Sequence, residues 1–441
     1  MMISTKEIQL SMKKFVILFL FPIQVVFGQE TLSLEKCYTL ARENYPVLKD
    51  QEIYQQITSL KKKNIQAQRL PRVALNGQAT YQSDVPGIAL AAPNLSIPTV
   101  PKDQYKAYAE INQTLWDGGI SDARRKLEDA LLKSSLSELE VEIYQLKEQV
   151  AQAFFTVQAA NKQKRVIEAQ KKALQAQLDN VQSGIRSGVI EKSAALSLKS
   201  GIFLTDQKAN QLESAQSAAL KILSILTGRP LSPDIKLSVK EKQFPSGQKQ
   251  LRPEILLFSD RQAQLKTRMN LLEKERNPRI FGFGQAGLGK PGLNMLNDDF
   301  DTYYLAGVGL KWNAFDWKQT HREKQILELQ QQAIQHQKEK FNQHIGMLLA
   351  QQEEKITEAE KQLETDRKII DLKTAITEMA ASKLQNGVLT SSEYVRELQA
   401  ETIAKLNHEL HKIQLTQARE KLQFLQGEMT GPANTNNERK K

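Results

Sequence analysis

Between Leu139 and Ala160 the apolar residues recur in alternating steps of four and three: Leu139, Ile143, Leu146, Val150, Ala153, Val157 and Ala160. This heptad seam predicts a long helix packed along other helices. Part of the seam returns as Ile345, Leu349, Ile356, Ala359 and Leu363. No proline interrupts residues 102–229 or 292–431, so the stretch from Asp117 to Gly188 is expected to run as one helix. At 1.5 Å per residue it would be about 105 Å long, far more than a globular domain needs. Two other stretches change period. In residues 73–82, Val73, Leu75, Gly77, Ala79 and Tyr81 alternate with Asn76, Gln78, Thr80 and Gln82. In residues 106–116, Ala107, Ala109, Ile111 and Leu115 alternate with Lys106, Tyr108, Glu110, Asn112 and Thr114. Period two with one polar face predicts strands, either of a half-exposed soluble hairpin or of a membrane barrel lined by water.

The whole pattern occurs twice. Arg69, Pro71 and Arg72, followed by Gly77-Gln78-Ala79, return as Arg276, Pro278 and Arg279, followed by Gly284-Gln285-Ala286, an offset of 207. Pro46 and Pro253 share that offset. Further along, Trp116-Asp117 matches Phe315-Asp316, Gly188-Val189 matches Gly387-Val388, and Gly228 matches Gly427, all at an offset of 199. The difference falls between residues 83 and 105, where Pro86, Pro93, Pro98 and Pro101 mark a longer loop in the first copy. Duplication at this period predicts two copies of one structural unit: helix, two strands, long helix, turn, helix. The expected organisation is a first repeat over residues 29–228, with a β-hairpin at about 72–116 and a helical hairpin over 117–228 that turns near Gly188. An inter-repeat segment, 229–250, leads to a second repeat over 251–427. Its β-hairpin lies at about 279–315 and its helical hairpin over 316–427 turns near Gly387. A tail of 428–441 follows.

Charge and composition narrow the choice. Apolar residues make up 40% and aromatics only 6%, which suits long exposed helices better than an enzyme core. The formal net charge is +11, but Lys and Glu alternate along the helical stretches and form no basic block, so nucleic acid is not an expected partner. Lys13 and Lys14 precede an apolar run from Phe15 to Phe27 that ends at Gly28-Gln29-Glu30. This fits a secretory signal peptide over residues 1–28, with Met12 an alternative start. No later run is long and apolar enough for a transmembrane helix. The single cysteine, Cys37, is expected to be a buried helical thiol.

Strand counting gives the architecture. Each copy supplies two strands, so one chain supplies four. Four strands cannot close a barrel, and open edges are not tolerated in lipid, where no water satisfies the backbone. Strands that cross a membrane must therefore be completed by further chains. Trp116, Phe315 and Trp317 fall at the expected strand ends, where an aromatic girdle meets the headgroups.

Several short stretches resemble the TolC-type outer-membrane efflux family. They are Leu32-Ser33-Leu34 through Ala41 with Asn44-Tyr45-Pro46, Leu115-Trp116-Asp117-Gly118-Gly119 at a strand-to-helix transition, and Leu226-Thr227-Gly228 at the end of the first half. The resemblance implies a mainly α fold with a small membrane β-barrel portion. In it a homotrimer shares twelve strands in one β-barrel, continued by an α-barrel of duplicated coiled-coil hairpins. It further implies an outer-membrane location in a Gram-negative bacterium with a large periplasmic portion, contact with outer-membrane lipid, a periplasmic adaptor and an inner-membrane pump as partners, and no cofactor. The function implied is the channel of a tripartite efflux or type I secretion system. The turns bearing Gly188 and Gly387 would form the periplasmic mouth. Positions that ring its constriction in the family fall on Glu393 and Arg396, the second with reversed charge. The family's latch positions fall on Leu384 and Leu389, and the first-copy acidic position on Ala194, so the latch is expected to be absent.

Other signals carry less. Gly284-Gln285-Ala286-Gly287-Leu288-Gly289-Lys290 mimics a phosphate-binding loop, and Gly282, Gly284 and Gly287 a dinucleotide fingerprint. Pro291 stands where a hydroxyl residue belongs, and the repeat predicts a second strand instead of the required helix. His408 and His411 lie one helical turn apart and are expected to be a solvated pair. No catalytic set, cofactor site or metal site is expected. The rival reading is a periplasmic coiled-coil adaptor or scaffold without a pore, which leaves the duplicated hairpins unexplained.

Overall fold

The computed structural model describes residues 31–86, 100–239, 252–295 and 297–427. The expected signal peptide, the tail, residues 240–250 of the inter-repeat segment, and Pro93 and Pro98 lie outside them. The first repeat opens with a short strand β1 (Thr31–Ser33), α1 (Leu34–Asn44), a 3-10 turn (Pro46–Lys49) and α2 (Asp50–Ala67). The hairpin β2 (Arg72–Tyr81) and β3 (Asp103–Trp116) follows, then α3 (Ile120–Arg186) and α4 (Lys192–Thr227). After β4 (Lys236–Ser238) the order recurs as α5 (Pro253–Glu275), β5 (Arg279–Lys290), β6 (Asp301–Lys311), α6 (Gln319–Gln385) and α7 (Ser391–Gln426). The second hairpin is shorter than expected from sequence: β6 ends at Lys311, and Phe315 and Trp317 lie in the connection to α6.

Both long helices contain 67 residues, about 100 Å at 1.5 Å each. Both start the same way. The Asp117 carboxylate accepts from the N–H groups of Gly119 (3.0 Å) and Ser121 (2.9 Å), and Asp316 accepts from Lys318 (3.1 Å) and Thr320 (3.0 Å). These bonds satisfy amides that a helix start leaves orphaned. The two residues after each aspartate adopt left-handed backbone. They are Gly118 and Gly119 in the first copy but Trp317 (φ +50°) and Lys318 (φ +63°) in the second. Side chains are disfavoured there, so the geometry of the junction overrides local preference.

All seven residues of the first seam are buried, with Val150 and Val157 fully so. Leu146, Val150, Ala153 and Val157 join Phe154, Phe155, Leu223 and the small parallel sheet of β1 and β4 in a core halfway along α3. Cys37 is part of it, and burial pushes its thiol up to about 12. Of the second seam only Ala359 is buried. The two repeats are joined at this level by Arg252. Its guanidinium is bidentate to Glu254 (2.7 and 3.1 Å) and donates to the carbonyl of Leu425 (3.1 Å) at the end of α7. It also lies 5.3–5.4 Å from the ring centres of Tyr144, Phe341 and Phe424.

Candidate functional site

The four long strands form one antiparallel sheet in the order β2-β3-β5-β6, so both hairpins lie side by side and β2 and β6 are open edges. The register puts Val73 opposite Ile111, Leu75 opposite Ala109, Ala109 opposite Ala286, and Ala286 opposite Tyr304. One face is therefore apolar across all four strands. It is also bare: Leu75 is 85% exposed, Tyr304 82% and Val308 70%. The other face carries Asn76, Gln78, Lys106, Glu110 and Asn112 on the first hairpin. The sheet thus has one apolar face without cover in the chain and two unpaired edges.

Trp116 ends β3 and is half exposed. Phe315 and Trp317 pack edge to face, 4.8 Å apart, in the β6–α6 connection, and Trp312 donates its indole N–H to the Arg276 carbonyl (3.1 Å). The glycines of the phosphate-loop mimic lie within β5, and the chain continues into a turn and β6, not into a helix. A Cβ on Gly287 would stand 2.3 Å from the Ala107 carbonyl oxygen, so close strand approach accounts for that glycine.

At the far end, both long helices reverse through one geometry. Gly188 (φ +75°) and Gly387 (φ +71°) are left-handed. The amides of Val189 and Ile190 bond back to the Gly184 carbonyl (3.0 and 3.3 Å), and those of Val388 and Leu389 to that of Lys383 (2.9 and 3.3 Å). Such bonds close a helix C-terminus. Leu174, Leu178, Leu198, Leu384, Tyr394 and Leu398 form a second core here, with Ala194 and Leu389 packed against it. Ala194, Leu384 and Leu389, on which the family's acidic and latch positions fall, are thus packing residues. The tips touch through Ser197 and Ser392, whose hydroxyls lie 3.0 Å apart.

Glu393 is exposed at the third residue of α7, locked in a capping box. Its carboxylate accepts from the Thr390 amide (2.9 Å) and hydroxyl (2.8 Å), and its own N–H donates to the Thr390 hydroxyl (3.3 Å). The Thr390 amide and hydroxyl hold the carboxyl below its ordinary range, with Arg396 adding to the effect. Arg396 is also exposed, but it pairs with Glu397 (3.3 Å) and not with Glu393. The Thr390-x-x-Glu393 spacing is a readable signal for this cap. His408 and His411 correct the sequence reading: they are not a solvated pair. Both turn inward toward the buried Asp366 of α6, at 3.8 and 2.7 Å. Among the described residues no group of three or more such side chains could hold a metal ion. Two clefts run along α7 where it meets α3 and α6, of about 670 and 550 Å³; His411 and Phe424 line the first, Tyr394 and Glu401 the second.

Residues 37–229, the first repeat almost entire, match the family model described as outer membrane efflux protein. Over that first repeat the chain is similar to outer membrane efflux proteins. Its second repeat carries the same succession of elements, and solved outer membrane channels match its fold over most of the chain. The Campylobacter jejuni CmeC outer membrane channel is 14% identical over 89% of this chain and 85% of its own, with a TM-score of 0.64. The outer membrane protein VceC of Vibrio cholerae is 12% identical over 89% and 96%, with a TM-score of 0.64. The open state of the Neisseria gonorrhoeae MtrE outer membrane channel is 15% identical over 89% and 88%, with a TM-score of 0.62. At these identities the likeness establishes an efflux-protein fold. No curated protein matches the chain in sequence.

Proposed function

We propose that this protein is the outer-membrane channel subunit of a tripartite efflux or type I secretion system, a passive conduit without enzymatic activity. The observation that carries the proposal is the open four-stranded sheet, bare and apolar on one face, that runs directly into helices about 100 Å long. Three copies give twelve strands, enough to remove both edges and enclose water. The rival adaptor reading leaves that apolar face in water. Trp116, Phe315 and Trp317 then sit at the membrane interface nearer the helices, and the turns at Gly188 and Gly387 form the periplasmic mouth.

Contact between copies along the helices has its own support. α6 exposes Ile369, Leu372, Ile376 and Met379 in steps of three and four, and α4 exposes Leu196, Phe203 and Leu204 at a similar distance from its turn. Stripes of this kind on helices of the two different hairpins suit a head-to-tail ring, in which α6 of one copy meets α4 of the next. At the mouth, Glu393 stays a fixed negative point on its cap, and the exposed Arg396, paired with Glu397 in its own chain, can exchange that partner for one on a neighbouring copy. A periplasmic adaptor and an inner-membrane pump complete the pathway and supply its energy.

The test is fractionation followed by planar-bilayer recording of the purified protein. The channel reading expects an integral outer-membrane protein with discrete conductance steps. A protein released from the membrane by salt or alkali, without conductance, would establish the adaptor reading instead.

A further inference from the structure

The polar face of the sheet is not uniform. On the first hairpin it carries amides and charges; on the second, Gln285 faces Glu110, and around it stand Phe281, Phe283, Tyr303 and Leu305 among Gly287, Gly307 and Gly309. Phe283 pairs with Gly307 and Phe281 with Gly309. A Cβ on either glycine would stand 2.6 or 2.4 Å from the facing ring, so both rings lie down across β6. Covering glycine with an aromatic ring stabilises a sheet, and that alone would explain the two pairs. It does not explain their neighbour. Phe283 also pairs with Asn112 of β3, two residues from Glu110 on the same face. The Glu110 carboxylate accepts from Asn112 (2.7 Å) and Asn76 (3.3 Å), both neutral amides, and among the described residues it forms no ion pair. The next cation on its strand and face is Lys106, about 13 Å along at 3.3 Å per residue.

We propose that Glu110, Phe283 and the adjacent Tyr108 form a binding site for organic cations that bear an aromatic group, on the water-facing side of the barrel. The proposal rests on the channel reading above and names the class of solute the channel favours. A fixed carboxylate without a counter-cation attracts positive charge, and an enclosing low-dielectric wall concentrates that attraction. A flat ring beside it supplies a face for a cationic or aromatic group. Lys106 lies further along β3, and Arg72, which faces Asn112 from β2 as Phe283 does from β5, makes no ion pair with Glu110. With three copies the same trio recurs three times at one height in the lumen.

The test uses single channels in planar bilayers, with blockers added from the side of the hairpin tips. Phenyltrimethylammonium carries both features, tetramethylammonium only the charge, and benzenesulfonate only the ring, with the opposite charge. The expected result is half-block of wild type by phenyltrimethylammonium at about a tenfold lower concentration than by either of the others. Glu110→Gln removes the preference over benzenesulfonate. Phe283→Leu reduces the preference over tetramethylammonium by about threefold and leaves the charge preference intact. Equal block of wild type by all three compounds, or no change in either variant, overturns the site. Unitary conductance without blocker is recorded first for every variant. Its absence in wild type overturns the channel reading, and this proposal with it.

Discussion

The two long helices have the same length, the same start and the same end, yet they occupy opposite situations. α3 buries 22 of its 67 residues and α6 only seven. α3 is the hub of the subunit, packed by α1, α2, α4, α5 and α7, whereas α6 leans mainly on α7 and α5. Phe154, fully buried in α3, corresponds at the repeat offset of 199 to Glu353, exposed on α6. Duplication therefore preserved backbone geometry while the side chains diverged. One copy keeps a core inside the chain, and the other leaves most of its surface exposed.

The largest expected effect tests whether the exposed stripe of α6 is an interface. Leu372→Glu combined with Met379→Glu should abolish the assembled species in size-exclusion chromatography while circular dichroism keeps its helical signal. An unchanged oligomer would show that the stripe faces water. Next comes the hub itself. Phe154→Ala should destabilise by about 3–5 kcal/mol through the cavity it leaves, and Glu353→Ala by less than about 0.5 kcal/mol. Denaturant midpoints of the two variants measure this, and equal shifts would erase the contrast. Arg252→Ala belongs with the first of the pair. It strips Glu254 of its bidentate partner in a buried setting, where breaking one side costs about 3–5 kcal/mol, and Arg252→Lys should recover only part of the loss.

The two turns offer a smaller contrast. α7 begins with the Thr390–Glu393 capping box, whereas Glu191, at the same place before α4, makes no side-chain cap. Amides at the start of α4 should exchange with deuterium faster than those of α7. Thr390→Ala, at a cost of about 1 kcal/mol, should make the two alike.

The smallest effect is in pH. Burial pushes the Asp117 carboxyl up, but hydrogen bonds from Ser121 and Gly119 and the charge of Arg69 outweigh it and hold the carboxyl below its ordinary range. A carboxyl lowered by folding stabilises above its unfolded value of about 3.9, and that stability is lost as pH falls through the folded value. Asp117→Asn should flatten the acid limb of the unfolding midpoint plotted against pH. A limb identical to wild type would assign it to other carboxyls.

Much of this was legible because it is periodic. The seam from Leu139 to Ala160 is buried throughout, and the alternation of 73–82 and 106–116 appears as paired strands. What escaped depends on partners distant in sequence. β1 and β4 are three residues each and exist only because they meet across some 200 positions. His408 and His411 look solvated until α6 brings Asp366 beneath them. Ile345 and Leu349 carry the right spacing for a seam, but periodicity does not say whether its partner lies in the same chain. Glu393 reads in the sequence as a charge at the mouth; that it is also the third residue of a capping box, which its spacing from Thr390 signals, went unread.

The central claim is that one chain supplies four strands of a barrel that only further copies close. Native mass spectrometry of the mature protein, released from mild detergent, tests it most directly. The account predicts a trimer as the dominant species and as the species that conducts in bilayers. A stable monomer that still inserts and conducts would contradict it.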